Sequence, residues 1–258
     1  MSGRLLRCLR GVSLLLGVLC LPVPANSAER DPLEGFNRAV FAFNEQADRL
    51  LMKPVAKGYK AVTPDPVESA VIRIFDNAGE VVNVMNNLLQ GKFSAAANDG
   101  GRFLLNTTVG MVGVFDVAGR MGLKRSDGED FGQTLATWGV GSGPYLVLPL
   151  LGPSTFRDAP SRIVDGYVNP INAIDHVPTR NSVTGAQLIS VRAVLLDAES
   201  LISGDKYVFT RDVFLQRRQY QISDGQLLDS FGDDDYGGFD YGDDDDFSNS
   251  EDFGADYE

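Results

Sequence analysis

Residues 31–50 read DPLEGFNRAVFAFNEQADRL, and this stretch decides the fold class. Asp31-Pro32-Leu33-Glu34 is a helix start, with Asp as N-cap, Pro at the first helical position and Glu at the third. Apolar residues follow at Leu33, Phe36, Val40, Phe43, Ala47 and Leu50. Alternating steps of three and four put all six on one helical face. Arg38, Glu45 and Arg49 lie off that stripe. Lys53-Pro54 is expected to interrupt it, because proline has no N–H for an interior helical turn.

The start signal recurs at Asp65-Pro66-Val67-Glu68. Val71, Ile74, Phe75, Val81, Val82, Met85, Leu88 and Leu89 continue an apolar pattern, with Gly79 as a kink candidate and Gly91 as a stop. A further helix is expected over 95–105. Another is expected from Gln187 to Ser203, with Leu188, Val191, Leu195, Ala198, Leu201 and Ile202 inward. A last one covers Tyr207 to Tyr220, and its basic pair Arg217-Arg218 suits a helix C-terminus. The middle, 107–170, is dense in Gly and Pro, and Tyr145–Leu151 reads either as a buried extended segment or as a packed loop.

No apolar run reaches 18 residues, so hydropathy predicts no spanning helix. A one-sided helix can bury its stripe in a protein core or in lipid. Each large side chain contributes ~1.5–3 kcal/mol in either case. Taken alone, the helical patterning favours a water-soluble core.

The N-terminus reads as a secretory signal over 1–28. Arg4, Arg7 and Arg10 precede an apolar run from Gly11 to Leu21, then prolines and small residues. Simple cleavage after a small residue near Ala25 or Ala28 is favoured over lipoprotein processing at Cys20, because Leu19 fills the position where a lipobox needs a small side chain. The two cysteines, Cys8 and Cys20, both lie in this segment, so its removal leaves no disulfide and no thiolate.

Charge is segregated. The 258 residues carry a formal net charge of −12, which argues against a dedicated nucleic-acid binder. Residues 224–258 hold 14 Asp and Glu and no Lys or Arg, while the body, 29–223, holds 21 acidic and 20 basic residues. The tail reads as disordered, because like charges repel and little apolar surface is available to bury. Its Phe231, Tyr236, Phe239, Tyr241, Phe247, Phe253 and Tyr257 suit a solvating tail, a partner-binding arm or a loose Ca²⁺ collector.

Catalytic patterns are weak. His176 is the single histidine, which rules out a two-histidine metal site, and it reads as structural or surface. Gly139-Val140-Gly141-Ser142-Gly143 lacks the central serine of a nucleophile elbow and the Gly-Lys-Ser/Thr ending of a phosphate loop. Asp130, Arg157, Asp158 and Asp165 flank the Gly/Pro region and are expected to form buried ion pairs that pin its loops. No cofactor and no metal is called for.

Six strings appear in order: DPLEGFNR (31–38), KPVAKGY (53–59), NLLQGKF (87–93), RFLLNTT (102–108), GVFDVA (113–118) and DFGQTLATWGVGSGPYLVLPLLGPSTFRD (130–158). Together they resemble the MlaA/VacJ family of outer-membrane phospholipid-transport proteins, over about 31–223. The resemblance implies a mainly α fold, a ring of amphipathic helices lying in one membrane leaflet around an amphipathic pore. It implies placement on the periplasmic side of the outer membrane in a Gram-negative envelope. It implies a non-enzymatic conduit that removes phospholipids misplaced in the outer leaflet. Its partners would be a trimeric porin and a soluble periplasmic lipid carrier, with an inner-membrane ATP-driven complex beyond. On that reading Gly139, Gly141, Gly143, Pro144 and Tyr145 are the candidate lipid-pore backbone, with Asp130 and Arg157 fixing it. Leu33, Phe36, Val40 and Phe43 are the candidate membrane-facing stripe, and the many lipoproteins in the family keep Cys20 in view. The alternatives are an envelope interaction protein acting through the acidic tail, and an envelope phospholipid hydrolase.

Overall fold

The computed structural model describes residues 31–199, 202 and 204–225. The signal segment, Cys20, Leu201 and the acidic tail beyond 225 lie outside the described residues. The described chain is mainly helical, with one small antiparallel hairpin.

Helix α1 (Glu34–Ala47) passes through a π-turn (Asp48–Met52) into α2 (Lys53–Val62). Lys53 donates its N–H to the Asp48 carbonyl, five residues back. This wider turn shifts the ladder just before Pro54, so the proline is absorbed rather than ending the helix as the sequence predicts. The α1 cap also differs from expectation. The helix starts at Glu34, and Asp31 sits outside it, accepting from Leu33 N at 3.1 Å and from Asn37 Nδ2 at 3.0 Å. The Tyr207 hydroxyl donates to the same carboxylate.

Helix α3 (Asp65–Leu89) starts one residue earlier than the sequence implies, with Pro64 rather than Asp65 at the N-cap. It runs unbroken through Gly79. It stops at Gly91 (φ +77°), where Gly91 N donates to Leu88 O and Lys92 N to Asn87 O, the two bonds of a Schellman cap. Helix α4 (Phe93–Thr108) returns along α3. Asn87 pairs with Asp99, Glu80 with Arg102 and Asn77 with Thr107, so one residue number rises as the other falls and the two helices are antiparallel.

Short α5 (Val117–Arg120) and α6 (Phe131–Thr137) follow. Strands β1 (Tyr145–Leu148) and β2 (Gly152–Thr155) pair in the register Tyr145↔Thr155 to Leu148↔Gly152, so 145–151 does contain an extended segment. Helix α7 (Asp158–Val168), a 3₁₀ turn (Pro170–Ala173), α8 (Val177–Ala198) and α9 (Lys206–Ile222) complete the body. His176 is the N-cap of α8, its Nδ1 facing Thr179 N and Oγ1.

Two asparagines seven residues apart on α1 attach it to the hairpin. Asn37, fully buried, donates to Tyr145 O at 3.0 Å and accepts from Val147 N at 2.9 Å. Asn44 donates to Leu148 O at 2.9 Å and accepts from Leu150 N at 2.7 Å. Asn37 thus satisfies β1 backbone groups that face away from β2, and Asn44 holds the end of β1 and the turn beyond it. Behind them Tyr145, Val147 and Tyr207 form a small core with Val40, Phe41 and Phe214 packed against it. Tyr207 meets the Phe41 ring edge-on at 5.6 Å.

That core is the exception. Among the described residues 17 buried side chains are polar or charged and nine are apolar, four of the nine being alanine. Among the same described residues thirty large hydrophobic side chains are exposed. Leu188, Val191 and Leu195 of α8 are among them, each about half exposed, which reverses the inward placement expected from the sequence; Ala198 is also exposed. The residues α8 does bury are Ser190 and Ala193. No described helix is long and apolar enough to cross a membrane.

Candidate functional site

The polar interior is organised around four charged side chains from three elements. Asp130 caps α6, accepting from Gln133 N at 3.0 Å. The same carboxylate takes both Nη atoms of Arg218 at 2.5 and 2.7 Å, a bidentate pair. Arg218 Nη2 also donates to Asp158 Oδ1 at 2.9 Å, and Arg157 Nε donates to that oxygen at 2.8 Å. Asp130 and Arg157 therefore join one network without touching. The expected buried ion pair forms between Arg157 and Asp158; Asp130 is paired but half-buried, and Asp165 is held by hydrogen bonds rather than by an ion pair.

In sequence terms Arg218 is a helix-end cation. In the fold it is 8% exposed and faces the carboxylates, so its charge answers Asp130 and Asp158 rather than the α9 dipole. Burial alone would raise the Asp130 pKa, but hydrogen bonding and proximity to Arg218 hold it below the ordinary carboxylate value. Gly132 makes the network sterically accessible. A Cβ there would lie 2.4 Å from both Arg218 Nη2 and Asp158 Oδ1.

Asp165 extends the network. It accepts from Asn86 Nδ2 and from Phe131 N, each at 3.0 Å. Asn86 accepts in turn from Thr134 Oγ1 at 2.9 Å, and Gln90 Nε2 donates to Thr134 Oγ1 at 3.2 Å and to Glu129 at 2.8 Å. Beside it lies a cavity of about 240 Å³ between α7 and α9, walled by Asp130, Asp158, Asp165, Arg162, Arg217 and Arg218 among others. A second polar set lies between α3, α4 and α5, where Arg102 reaches Glu80 at 3.0 Å and Asp116 accepts from Asn106.

The Gly/Pro candidates fall outside the cavity wall. Gly139 (φ +87°) is the Schellman glycine ending α6, with Val140 N on Leu135 O. Gly141 faces open space. At Gly143 (φ +65°) a side chain would bring its Cβ within 3.0 Å of Phe156 Cβ, and Pro144 O accepts from Phe156 N. Tyr145 belongs to the small core, and burial pushes its hydroxyl up to about 12. Arg157 does reach this loop, from Nη1 to Val140 O at 3.4 Å and from N to Ser142 O at 3.1 Å. On α1, Phe36 and Phe43 are more than half exposed, Leu33 is half-buried, and Val40 packs toward the small core.

The sequence does carry a signal for the interior that apolar patterning hides. Asn77, Glu80, Asn83 and Asn87 recur on one face of α3, and Asp99, Arg102 and Asn106 on one face of α4. The polar stripes, not the apolar ones, mark the buried seam.

A model of the MlaA lipoprotein family matches residues 29–221. The intermembrane phospholipid transport system lipoprotein MlaA of Escherichia coli is 34% identical over 233 residues, spanning 88% of this chain and 92% of that protein. Its Haemophilus influenzae counterpart is 33% identical over 209 residues, 79% of this chain and 84% of that protein. An uncharacterized protein of Rickettsia felis is 37% identical over 196 residues, 74% of this chain and 78% of its own length. A solved structure described as the "structural basis for maintenance of bacterial outer membrane lipid asymmetry" superposes with a TM-score of 0.67 at 33% identity, covering 75% of this chain and 99% of the other.

Proposed function

Because this chain belongs to the MlaA lipoprotein family, we propose that it is a non-enzymatic phospholipid conduit of the outer membrane. It takes phospholipid mislocalised in the outer leaflet and passes it to a soluble periplasmic carrier. It lies on the periplasmic side, in the inner leaflet, beside a trimeric porin, with the body 29–223 forming the conduit around a pore. Gly139–Tyr145 edges the lipid path, and Phe36 and Phe43 face acyl chains.

One observation carries the reading: the described body buries polar groups and exposes large apolar ones. Exposed leucines alone mean little on any protein, whereas buried Asn, Asp and Arg combined with them are informative. In lipid, apolar side chains on the outside are at low free energy and polar groups are driven to pair inside. A phospholipid needs both environments, a polar path for its headgroup and apolar walls for its tails.

The test is outer-leaflet phospholipid in a strain lacking the gene. Deletion should raise it and the intact gene should restore it. No rise on deletion contradicts the conduit.

A further inference from the structure

The cavity between α7 and α9 is walled by charges that the surrounding ion pairs leave over. α7 presents Asp158, Arg162 and Asp165, and α9 presents Arg217 and Arg218, at steps that place each set along the cavity wall. Within it, Asp158 Oδ2 and Arg218 Nε are buried without a hydrogen-bond partner, and both residues are more than nine-tenths buried. Buried polar atoms in a folded protein are nearly always partnered, so two unpartnered atoms in residues of one cavity wall mark that wall as unusual.

The remaining charges sharpen this. Arg162 donates to the carbonyls of Leu151 and Pro153, at 3.1 and 2.9 Å. Among the described residues neither Arg162 nor Arg217 forms an ion pair with a carboxylate, and Asp165 forms none with a Lys or Arg. Burial pushes the Asp165 carboxyl up and the Arg162 guanidinium down, against the opposing pull of Arg218 on the first and of Asp130 and Asp158 on the second. The cavity therefore offers two guanidiniums outside the ion pairs, Arg162 from α7 and Arg217 from α9, and one carboxylate outside them, Asp165.

Size and surroundings narrow the ligand. About 240 Å³ lies below the ~300–1,000 Å³ of pockets that enclose drug-sized molecules. It suits a polar headgroup and excludes acyl chains. The Arg162 end is apolar outside: Ile163 is 64% exposed, and Leu150 and Leu151 at the hairpin tip are 72% and 62% exposed. A ligand with a charged head and hydrocarbon tails fits that step from polar to apolar.

We propose that this cavity seats the zwitterionic headgroup of an amine-bearing phospholipid. The phosphate lies toward Arg162 and Arg217, and the ammonium toward Asp165. An anionic glycerol headgroup would satisfy the guanidiniums and leave that carboxylate unpaired. The inference rests on the conduit reading and adds a headgroup preference to it.

The test is native mass spectrometry of the detergent-solubilised full chain, given phosphatidylethanolamine, phosphatidylglycerol or soluble O-phosphoethanolamine. Phosphatidylethanolamine should be retained at least about tenfold more than phosphatidylglycerol, the factor that one charge-assisted bond supplies. Asp165→Asn, at a residue outside every ion pair described, should erase that preference, Arg217→Gln should weaken both lipids together, and Lys57→Gln, outside the cavity, should leave both lipids and the preference as they are. Equal retention of both lipids, unaffected by Arg217→Gln, overturns the headgroup site and leaves the conduit standing. Soluble phosphoethanolamine held as firmly as the lipid overturns a lipid source. Retention of no lipid at all contradicts the conduit itself.

Discussion

Around Tyr145 and Tyr207 the molecule packs as water-soluble proteins do, with aromatic edges meeting and Val40, Phe41 and Phe214 closing over them. Between α3 and α4 it does the reverse. There Asn77, Glu80, Asn87, Asp99, Arg102 and Asn106 are buried, while Leu88, Leu89, Phe93 and Leu104 on the same helices are exposed. The first region gains stability from removing apolar area from its surroundings. The second depends on every polar group being answered, and a single unanswered charge is costly. Burial in this fold is therefore decided by which solvent the outside meets.

Breaking the seam should have the largest effect. Arg102→Met strands Glu80, which is 4% exposed, and is expected to cost about 3–5 kcal/mol in thermal unfolding of the detergent-solubilised protein. The double variant Arg102→Met/Glu80→Leu should recover most of that loss. A single variant as mild as the double would mean that the seam is solvated. At the aromatic cluster, Tyr207→Ala should cost a similar ~3–5 kcal/mol through lost packing. A polar substitution on Asp31, its hydroxyl's acceptor, should not rescue it.

Gly132→Ala tests the charge network more gently. The added methyl overlaps Arg218 and Asp158, and a loss of about 1–3 kcal/mol is expected, as for overpacking elsewhere. Acid should weaken the α2–α8 contact. Lys53 first, then Arg192, hold the Glu199 carboxyl down from 4.5 to about 2. A depressed carboxylate contributes stability above its unfolded value and loses it as pH falls through the folded one. Stability should therefore decline between pH 4.5 and about 2, and Glu199→Gln should flatten that limb.

The smallest effect on folding should come from the outer face. Phe36→Asp and Phe43→Asp, at residues 55% and 56% exposed, should change folded stability by no more than about 0.5 kcal/mol. In a Cys20→Ser background, both should nevertheless move the protein from the membrane to the soluble fraction. Unchanged fractionation would place that stripe away from lipid.

Much of the helical framework is legible in the chain. Asp31-Pro32 and Asp65-Pro66 mark the starts of α1 and α3 to within a few residues, and Gly91 marks a stop, because capping is local chemistry. Pro54 misleads because a π-turn, a backbone adjustment with no sequence signature of its own, absorbs it. Leu188, Val191 and Leu195 mislead for a different reason. Periodicity identifies one face of α8 as apolar and carries no information about whether protein or lipid covers it. On the proposed function, that cover is lipid. The site is half legible: Asp130, Arg157 and Asp158 lie within one short stretch of sequence, whereas Arg218 reaches them from α9 only after the chain folds. Its neighbour Arg217 looks identical in the sequence and lies on the exposed side.

Spin labels decide most directly whether the apolar outside meets lipid. Cys8 and Cys20 are the native cysteines, so single cysteines at 36, 104 and 163 on the outside, and at 87 in the seam, can be labelled one at a time in a Cys8→Ser/Cys20→Ser chain reconstituted into bilayers. A polar-in, apolar-out body predicts that labels at 36, 104 and 163 are relaxed by oxygen and shielded from a water-soluble nickel chelate. The opposite result, nickel access at all three, would mean that those side chains face water and that the conduit fold has been read inside out.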